Sequence, residues 1–240
     1  IWEQTLNLSV VPEFLVEANV FGNKLKELIL VSKLGQIIAI DMNGSILWTT
    51  DLECYEPDKF INVEPIAFDI NEDGYDEILV PCNGYEFTGF YVISRNGSII
   101  YQESINRRRN IGGMVVCDVN GDKEKEIFVG TDSFYLIYDK SFNLIANVSF
   151  LEGVRGDVIP FDIDSDGKEE VLACNLKGGI TAINMSGAEW SLSLSEDCAF
   201  SYIIGKFYND ENQILVIGSR GGYNFFDLRG NPLKDQEFLY

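Results

Sequence analysis

Apolar residues in this chain come in short runs, each opened by an acidic or amide residue. Five openings recur: Glu27-Leu-Ile-Leu-Val, Glu77-Ile-Leu-Val, Glu126-Ile-Phe-Val, Glu170-Val-Leu-Ala and Gln213-Ile-Leu-Val. The opening positions are 50, 49, 44 and 43 residues apart. A turn signal follows each run, at Asn43-Gly44, Asn96-Gly97, Phe142-Asn143, Ser186-Gly187 and Arg229-Gly230. From opening residue to the second turn residue is 17 positions in four copies and 20 in the copy starting at Glu77. The three extra residues fall near Tyr85-Glu86-Phe87-Thr88-Gly89, which predicts a longer loop there. Spacing held this closely marks an internal repeat.

Each copy reads as four short strands. In the second, these are Pro65 to Phe68, Glu77 to Val80, Phe90 to Ser94 and Ile99 to Gln102. The first three are nearly continuously apolar, as expected of strands covered on both faces. The Asn96-Gly97 turn predicts a tight hairpin of the primed type, with positive φ at both residues. No stretch shows a helical period. Four strands per repeat of about 45 residues predicts an all-β fold, a β-propeller of about five four-stranded antiparallel blades. Residues 1–240 are read as one such domain, with blades near 11–52, 60–105, 111–151, 157–195 and 199–240. Residues 1–8 resemble a fourth strand and are expected to close the ring, but Pro232 to Leu239 compete for the same slot. Either one strand is spare or the chain belongs to a larger propeller, and an open edge would invite aggregation.

Charge narrows the function. The 38 acidic and 18 basic residues give a net charge of −20. Such a surface repels nucleic acid and anionic membranes and suits divalent cations. No apolar run reaches the length of a membrane span, so no direct membrane insertion is expected. The chain opens on Ile1 rather than Met, which points to a processed product or an excised piece. Histidine is absent. That removes the commonest general base and the commonest neutral metal ligand, and argues against an enzyme.

The chemistry lies in the loops joining first to second strands. Three copies place oxygen-bearing residues at positions one, three, five and nine. They are Asp69, Asn71, Asp73 and Glu77; Asp118, Asn120, Asp122 and Glu126; and Asp162, Asp164, Asp166 and Glu170. Position seven, Tyr75, Glu124 or Lys168, adds a backbone carbonyl. A hard cation needing six to eight oxygens fits such a loop. Gly74 and Gly167 stand at position six, where the turn is sharp, and Lys123 in that place weakens the middle loop. The outer copies offer Asn19, Phe21, Asn23 and Glu27, and Gly205, Phe207, Asn209 and Gln213, and are expected to be metal-free.

These three loops resemble FG-GAP (VCBS-type) repeats, the unit of integrin α-subunit propellers and of many secreted microbial propellers. The resemblance implies calcium as cofactor, two to three Ca2+ ions. It implies an extracellular or cell-surface location and a non-enzymatic role in adhesion, ligand binding or surface assembly with a protein or glycan partner. Ala39 to Trp48 also resembles the tryptophan-docking motif of quinoprotein-like propellers. There the tryptophan packs between blades, so Trp48 and Trp190 are read as structural. Two alternatives stay open: a carbohydrate-active protein, either a lectin or a polysaccharide-lyase propeller, and a quinoprotein-like periplasmic scaffold. Self-assembly and a longer parent protein stay open too.

Smaller signals complete the reading. In an antiparallel blade, the second-to-third-strand loop and the inter-blade connection share one end. Cys54 and Cys82 flank the second blade there, and Cys174 and Cys198 the fourth, so both pairs are disulfide candidates in an oxidising compartment. Cys117 should be a buried thiol. Five glycosylation sequons begin at Asn7, Asn43, Asn96, Asn147 and Asn184. Arg107-Arg108-Arg109 is a connection basic enough to dock an acidic partner. Arg155-Gly156-Asp157 is ordinary turn chemistry, and Tyr85 to Phe90 offers aromatics for sugar stacking.

Overall fold

The computed structural model describes residues 11–22, 26–54, 63–84, 87–105, 110–150, 152–193, 198–206, 213–219 and 222–233. Among them there is no helix, and 19 strands are present. The expectations for Asn7, Asn23, Asn209, Tyr85, Glu86, Arg107 to Arg109 and both chain ends lie outside the described residues.

The strands form five sheets, each a meander in chain order. The first is β1 (Pro12–Ala18), β2 (Glu27–Ser32), β3 (Gln36–Ile40) and β4 (Ile46–Asp51). The second is β5 (Ile66–Phe68), β6 (Glu77–Asn83), β7 (Thr88–Ile93) and β8 (Ile99–Ile105). The third is β9 (Ile111–Cys117), β10 (Glu126–Thr131), β11 (Phe134–Tyr138) and β12 (Leu144–Ser149). The fourth is β13 (Val154–Phe161), β14 (Glu170–Asn175), β15 (Gly179–Asn184) and β16 (Gly187–Ser193). The fifth comprises β17 (Cys198–Lys206), β18 (Gln213–Ser219) and β19 (Gly222–Asp227). Pro232 adds only a bridge to Phe226, so no fourth strand of this sheet lies among the described residues.

Burial follows the hydrophobic pattern. β6 and β7 are buried along their whole length, while β8 alternates between exposed and half-buried before ending on a buried Ile105. In this second sheet the middle strands are covered on both faces, and the last strand meets water on one. The second sheet's longer hairpin extends β6 to Asn83 and starts β7 at Thr88. The three extra residues therefore lengthen the strands as well as the loop.

The chain falls into two compact units, Ile1–Ile111 and Gly112–Tyr240. In the first, one cluster joins both sheets through Ile29, Val31, Ile37, Ile78, Val80 and Ile93. Trp48 packs on its edge and donates its indole N–H to Arg95 O (2.8 Å). Gly97 sits beneath that ring, and a Cβ there would lie 2.8 Å from it. In the second unit Trp190 takes the same place over Gly230, where a Cβ would stand 3.4 Å away. Both tryptophans thus seat on the glycine turn of the next sheet, the structural role their motif suggested.

The hairpin turns differ from the primed type. Gly44 N donates to Asp41 O and Asp41 N to Ser45 O, and only Gly44 has positive φ (83°). The same frame recurs at Ser94–Ser98, Asp139–Asn143 and Asp227–Asn231. This is a type I turn closed by a bulge residue in the left-handed region. The first residue decides it: Asp41 Oδ1 accepts from Asn43 N (2.9 Å) and Ser45 N (2.7 Å), which fixes the preceding residues in the right-handed region. Those bonds, Ser45's first, hold the Asp41 carboxyl below its usual range.

Cys54 and Cys82 are joined as a disulfide, with Cα atoms 5.6 Å apart. Cys117 is a buried thiol, and Cys174 is buried; the side chain of Cys198 lies outside the described residues. The Cys54–Cys82 bridge closes a loop with a sequence separation of 28. By chain entropy it should contribute about 3–4 kcal/mol. Denaturant unfolding of Cys54→Ala/Cys82→Ala should show a loss of that order in this unit, and an unchanged midpoint would contradict it.

Candidate metal centre

The three acidic loops leave the first strand of their sheet and re-enter at the second. In the first, Asp69 Oδ1 accepts Asp73 N (3.0 Å) and Asp69 Oδ2 accepts Gly74 N (2.9 Å). Asn71 Oδ1 accepts Asp73 N (2.8 Å), and Asp73 Oδ1 accepts Tyr75 N (2.9 Å). The loop from Asp118 repeats this: Lys123 N reaches Asp118 Oδ2 (2.9 Å), Asp122 N reaches Asn120 Oδ1 (2.8 Å), and Glu124 N reaches Asp122 Oδ1 (2.8 Å). So does the loop from Asp162, with Gly167 N on Asp162 Oδ2 (3.1 Å), Asp166 N on Asp164 Oδ1 (3.0 Å) and Lys168 N on Asp166 Oδ1 (2.9 Å). Side-chain oxygens at positions one, three and five therefore converge on the loop interior.

Two residues per loop are left-handed, at positions four and six. They are Glu72 and Gly74, Gly121 and Lys123, and Ser165 and Gly167. The middle loop has moved its glycine from six to four. Lys123 (φ 74°) carries the strain that Glu72 (61°) and Ser165 (63°) carry in the others. The cost of one left-handed non-glycine residue is thus common to all three loops.

Position nine departs most from the sequence reading. Glu77, Glu126 and Glu170 are each 3% exposed, and Oε2 of each accepts the backbone N–H of position two: Ile70 (3.2 Å), Val119 (3.0 Å) and Ile163 (2.9 Å). In the first two, Oε1 accepts Asn71 Nδ2 (3.1 Å) and Asn120 Nδ2 (2.8 Å). Glu27 makes the same bond to Val20 N (3.1 Å) in the first sheet, whose loop lacks the acidic pattern. The ninth glutamate is therefore a clasp that closes the loop whether or not carboxylates fill it. Burial pushes the carboxyls of Glu77, Glu126 and Glu170 up to about 7, and the neighbouring aspartates add to this.

Other expected ligands are engaged by side chains. Lys168 Nζ lies 3.1 Å from Asp166 Oδ2, and Glu124 holds Lys140 Nζ at 2.6 Å. Tyr75 lies under the Arg95 guanidinium, 3.9 Å from ring centroid to Cζ. That contact and the Lys140–Glu124 pair place the hairpin turns and the acidic loops at one end of their sheets.

Position eight was overlooked in the sequence. Asp76 N donates to Asn19 O (2.9 Å), and Asp76 Oδ2 accepts Asn19 N (2.7 Å). In the second unit Glu169 N donates to Asp118 O (2.8 Å), and Glu169 Oε2 accepts Asp118 N (2.6 Å) and Lys125 Nζ (2.8 Å). The acid at position eight thus locks its loop to position one of the preceding sheet. A carboxyl at this position in two repeats was the available signal.

Whether the donors suit a cation can be judged from their spacing. Oxygens of Asp162, Asp164 and Asp166 all lie within 4.8 Å of one another. Ligands on opposite sides of Ca2+, at about 2.3–2.6 Å each, stand about 5 Å apart. The triad fits such an ion. The other two loops have the same backbone frame, with Asn71 and Asn120 replacing one carboxylate by an amide oxygen.

No protein-family model matches the chain, and no curated protein sequence matches it. Solved structures do. BBS1N, crystallised in complex with ARL6DN, superposes with a TM-score of 0.70 at 12% identity, over 95% of this chain and 69% of that one. Bacillus licheniformis rhamnogalacturonan lyase PL11 gives 0.69 at 12% identity, over 93% and 50%. The V. cholerae biofilm matrix protein Bap1 gives 0.63 at 19% identity, over 93% and 38%. The chain has a β-propeller fold. Its sheets are blades, and it spans half or less of the lyase and matrix-protein chains. Fold is what such distant likeness shares, and these propellers differ in function. The FG-GAP resemblance rests on the three loops alone.

The clasp glutamates set a pH dependence. Their folded pKa lies above the unfolded value, so the stability they contribute is complete below about 4.5 and is lost as pH rises through about 7. The melting temperature of chelator-stripped protein should therefore fall between pH 5 and pH 8. Glu77→Gln should make that fall shallower, and a melting temperature that rises over this range would contradict it.

Proposed function

We propose that this chain is a calcium-stabilised, non-enzymatic propeller that works outside the cell as a binding or surface-assembly module. The observation that carries the reading is the convergence of Asp162, Asp164 and Asp166 in a loop whose frame two further blades repeat. Asp69, Asn71 and Asp73, with Asp118, Asn120 and Asp122, would hold the other ions. Calcium would supply positive charge where carboxylates crowd, ordering the loops at one end of the blades. These loops resemble FG-GAP repeats, which serve adhesion and ligand recognition, and that likeness supports the role.

Location and partner follow from other features. The Cys54–Cys82 disulfide suits an oxidising compartment. No helix among the described residues is long and apolar enough to cross a membrane. A net charge of −20 disfavours nucleic acid as a partner. BBS1N binds a protein in its crystal, which supports a partner of protein type, and Bap1 belongs to a biofilm matrix, which supports a role in surface assembly. A chain without histidine lacks the commonest catalytic base.

Millimolar calcium should raise the melting temperature of chelator-stripped protein. A hundredfold excess over Kd stabilises by about 2.7 kcal/mol, or about 5–10 °C for a chain of this size. Asp73→Asn and Asp166→Asn should each remove part of the response. Absence of any response would overturn the reading, and unsaturated uronate released from rhamnogalacturonan would replace it with a lyase.

A further inference from the structure

We propose that Asn43, Asn96 and Asn147 carry N-linked glycans, that Asn184 does not, and that the glycans cover apolar residues exposed along the outer strands. The proposal rests on the extracellular reading above. Four sequons lie among the described residues, and the structure separates them. Asn43, Asn96 and Asn147 are exposed, and the Asn43 side chain, though hydrogen-bonded to the Asp41 carboxylate, is set apart from Asn184 by that exposure. All hydrogen bonds of the Asn96 side chain pass through Oδ1, which accepts Ser94 Oγ (2.5 Å) and Ser98 N (3.1 Å). No described residue hydrogen-bonds the acceptor Nδ2. Asn184 is half-buried and engaged at both ends: Oδ1 accepts Ser186 N (2.7 Å) and Gly187 N (3.2 Å), while Nδ2 donates to Glu189 Oε1 (2.7 Å).

A second observation points the same way. β4, β8 and β12 are edge strands of their sheets. Each exposes large apolar side chains: Ile46 (52%), Ile99 and Ile100 (44% and 51%), and Leu144 and Ile145 (50% and 41%). With Met42, these are six of the eleven exposed large apolar residues among the described ones, and all lie within four positions of Asn43, Asn96 or Asn147. On β16, the strand following Asn184, Trp190 and Leu192 are half-buried instead. An exposed apolar edge strand invites edge-to-edge pairing. A bulky hydrophilic glycan beside each edge blocks that approach.

The modification is a group transfer from a lipid-pyrophosphate-linked oligosaccharide. The bond between sugar C1 and the pyrophosphate oxygen breaks, C1 bonds to Asn Nδ2, one amide proton is lost, and lipid pyrophosphate leaves. The sequon hydroxyls are Ser45, Ser98 and Ser149.

The test uses the full chain secreted from a eukaryotic host, with deglycosylation in heavy-oxygen water and peptide mapping. Label at Asn43, Asn96 and Asn147 and none at Asn184 is expected. Bare asparagines in a chain whose Cys54–Cys82 disulfide has formed would overturn the assignment and leave the extracellular reading standing. Thiols at Cys54 and Cys82 would overturn both. The shielding role has its own readout in Ser45→Ala/Ser98→Ala/Ser149→Ala, which leaves every turn asparagine in place. This variant should self-associate on sedimentation at concentrations where the glycosylated chain is monomeric, while Ser186→Ala should not. A triple variant that stays monomeric would overturn the shielding.

Discussion

One carboxyl group is buried at the same place in four successive blades. Glu27, Glu77, Glu126 and Glu170 open the second strand, and each accepts the N–H of the second loop residue. Burying a carboxyl is costly unless it is hydrogen-bonded or neutral. The loop backbone supplies the bond, which fixes where the first strand ends and how the loop folds back. Once that span is set, positions one, three and five have only the interior to face. In the three acidic loops this concentrates negative charge beside a carboxyl that burial already disfavours as an anion. The clasp therefore shapes the loop and also makes a cation welcome there.

The loops are tied across blades as well as within them. Asp76 and Glu169 each exchange a pair of hydrogen bonds with position one of the preceding loop, at Asn19 and Asp118. Trp48 and Trp190 seat on glycine turns of the following blade. Both devices occur within each compact unit, where polar pairs near the loops and aromatic packing near the hairpins join one blade to another. The Cys54–Cys82 bridge adds a covalent tie at the far end of the first unit.

Much of this was legible in the repeat. The spacing from Glu77 to Gly97 and its counterparts gave the strand order, the longer second hairpin and the all-β class, because local pattern dictates each strand. The loop residues were legible as oxygen donors. The role of position nine was not, because burial of Glu77 depends on packing between sheets that periodicity does not report. The link from Asp76 to Asn19 spans 57 residues and has no local signature. The hairpins were misread because Asn-Gly suits a primed turn, while Asp41 two positions earlier selects the bulged one.

Calcium titration by calorimetry into chelator-stripped protein, in buffers of different ionisation enthalpy, tests the account most directly. If the loops take calcium beside clasp glutamates that titrate near 7, two to three ions should bind. Binding should release protons at pH 6 and release far fewer at pH 8, where the clasps are already mostly ionised. Binding without that pH-dependent proton release would contradict the coupling between clasp and ion. Absence of binding heat in every buffer would contradict the metal centre itself.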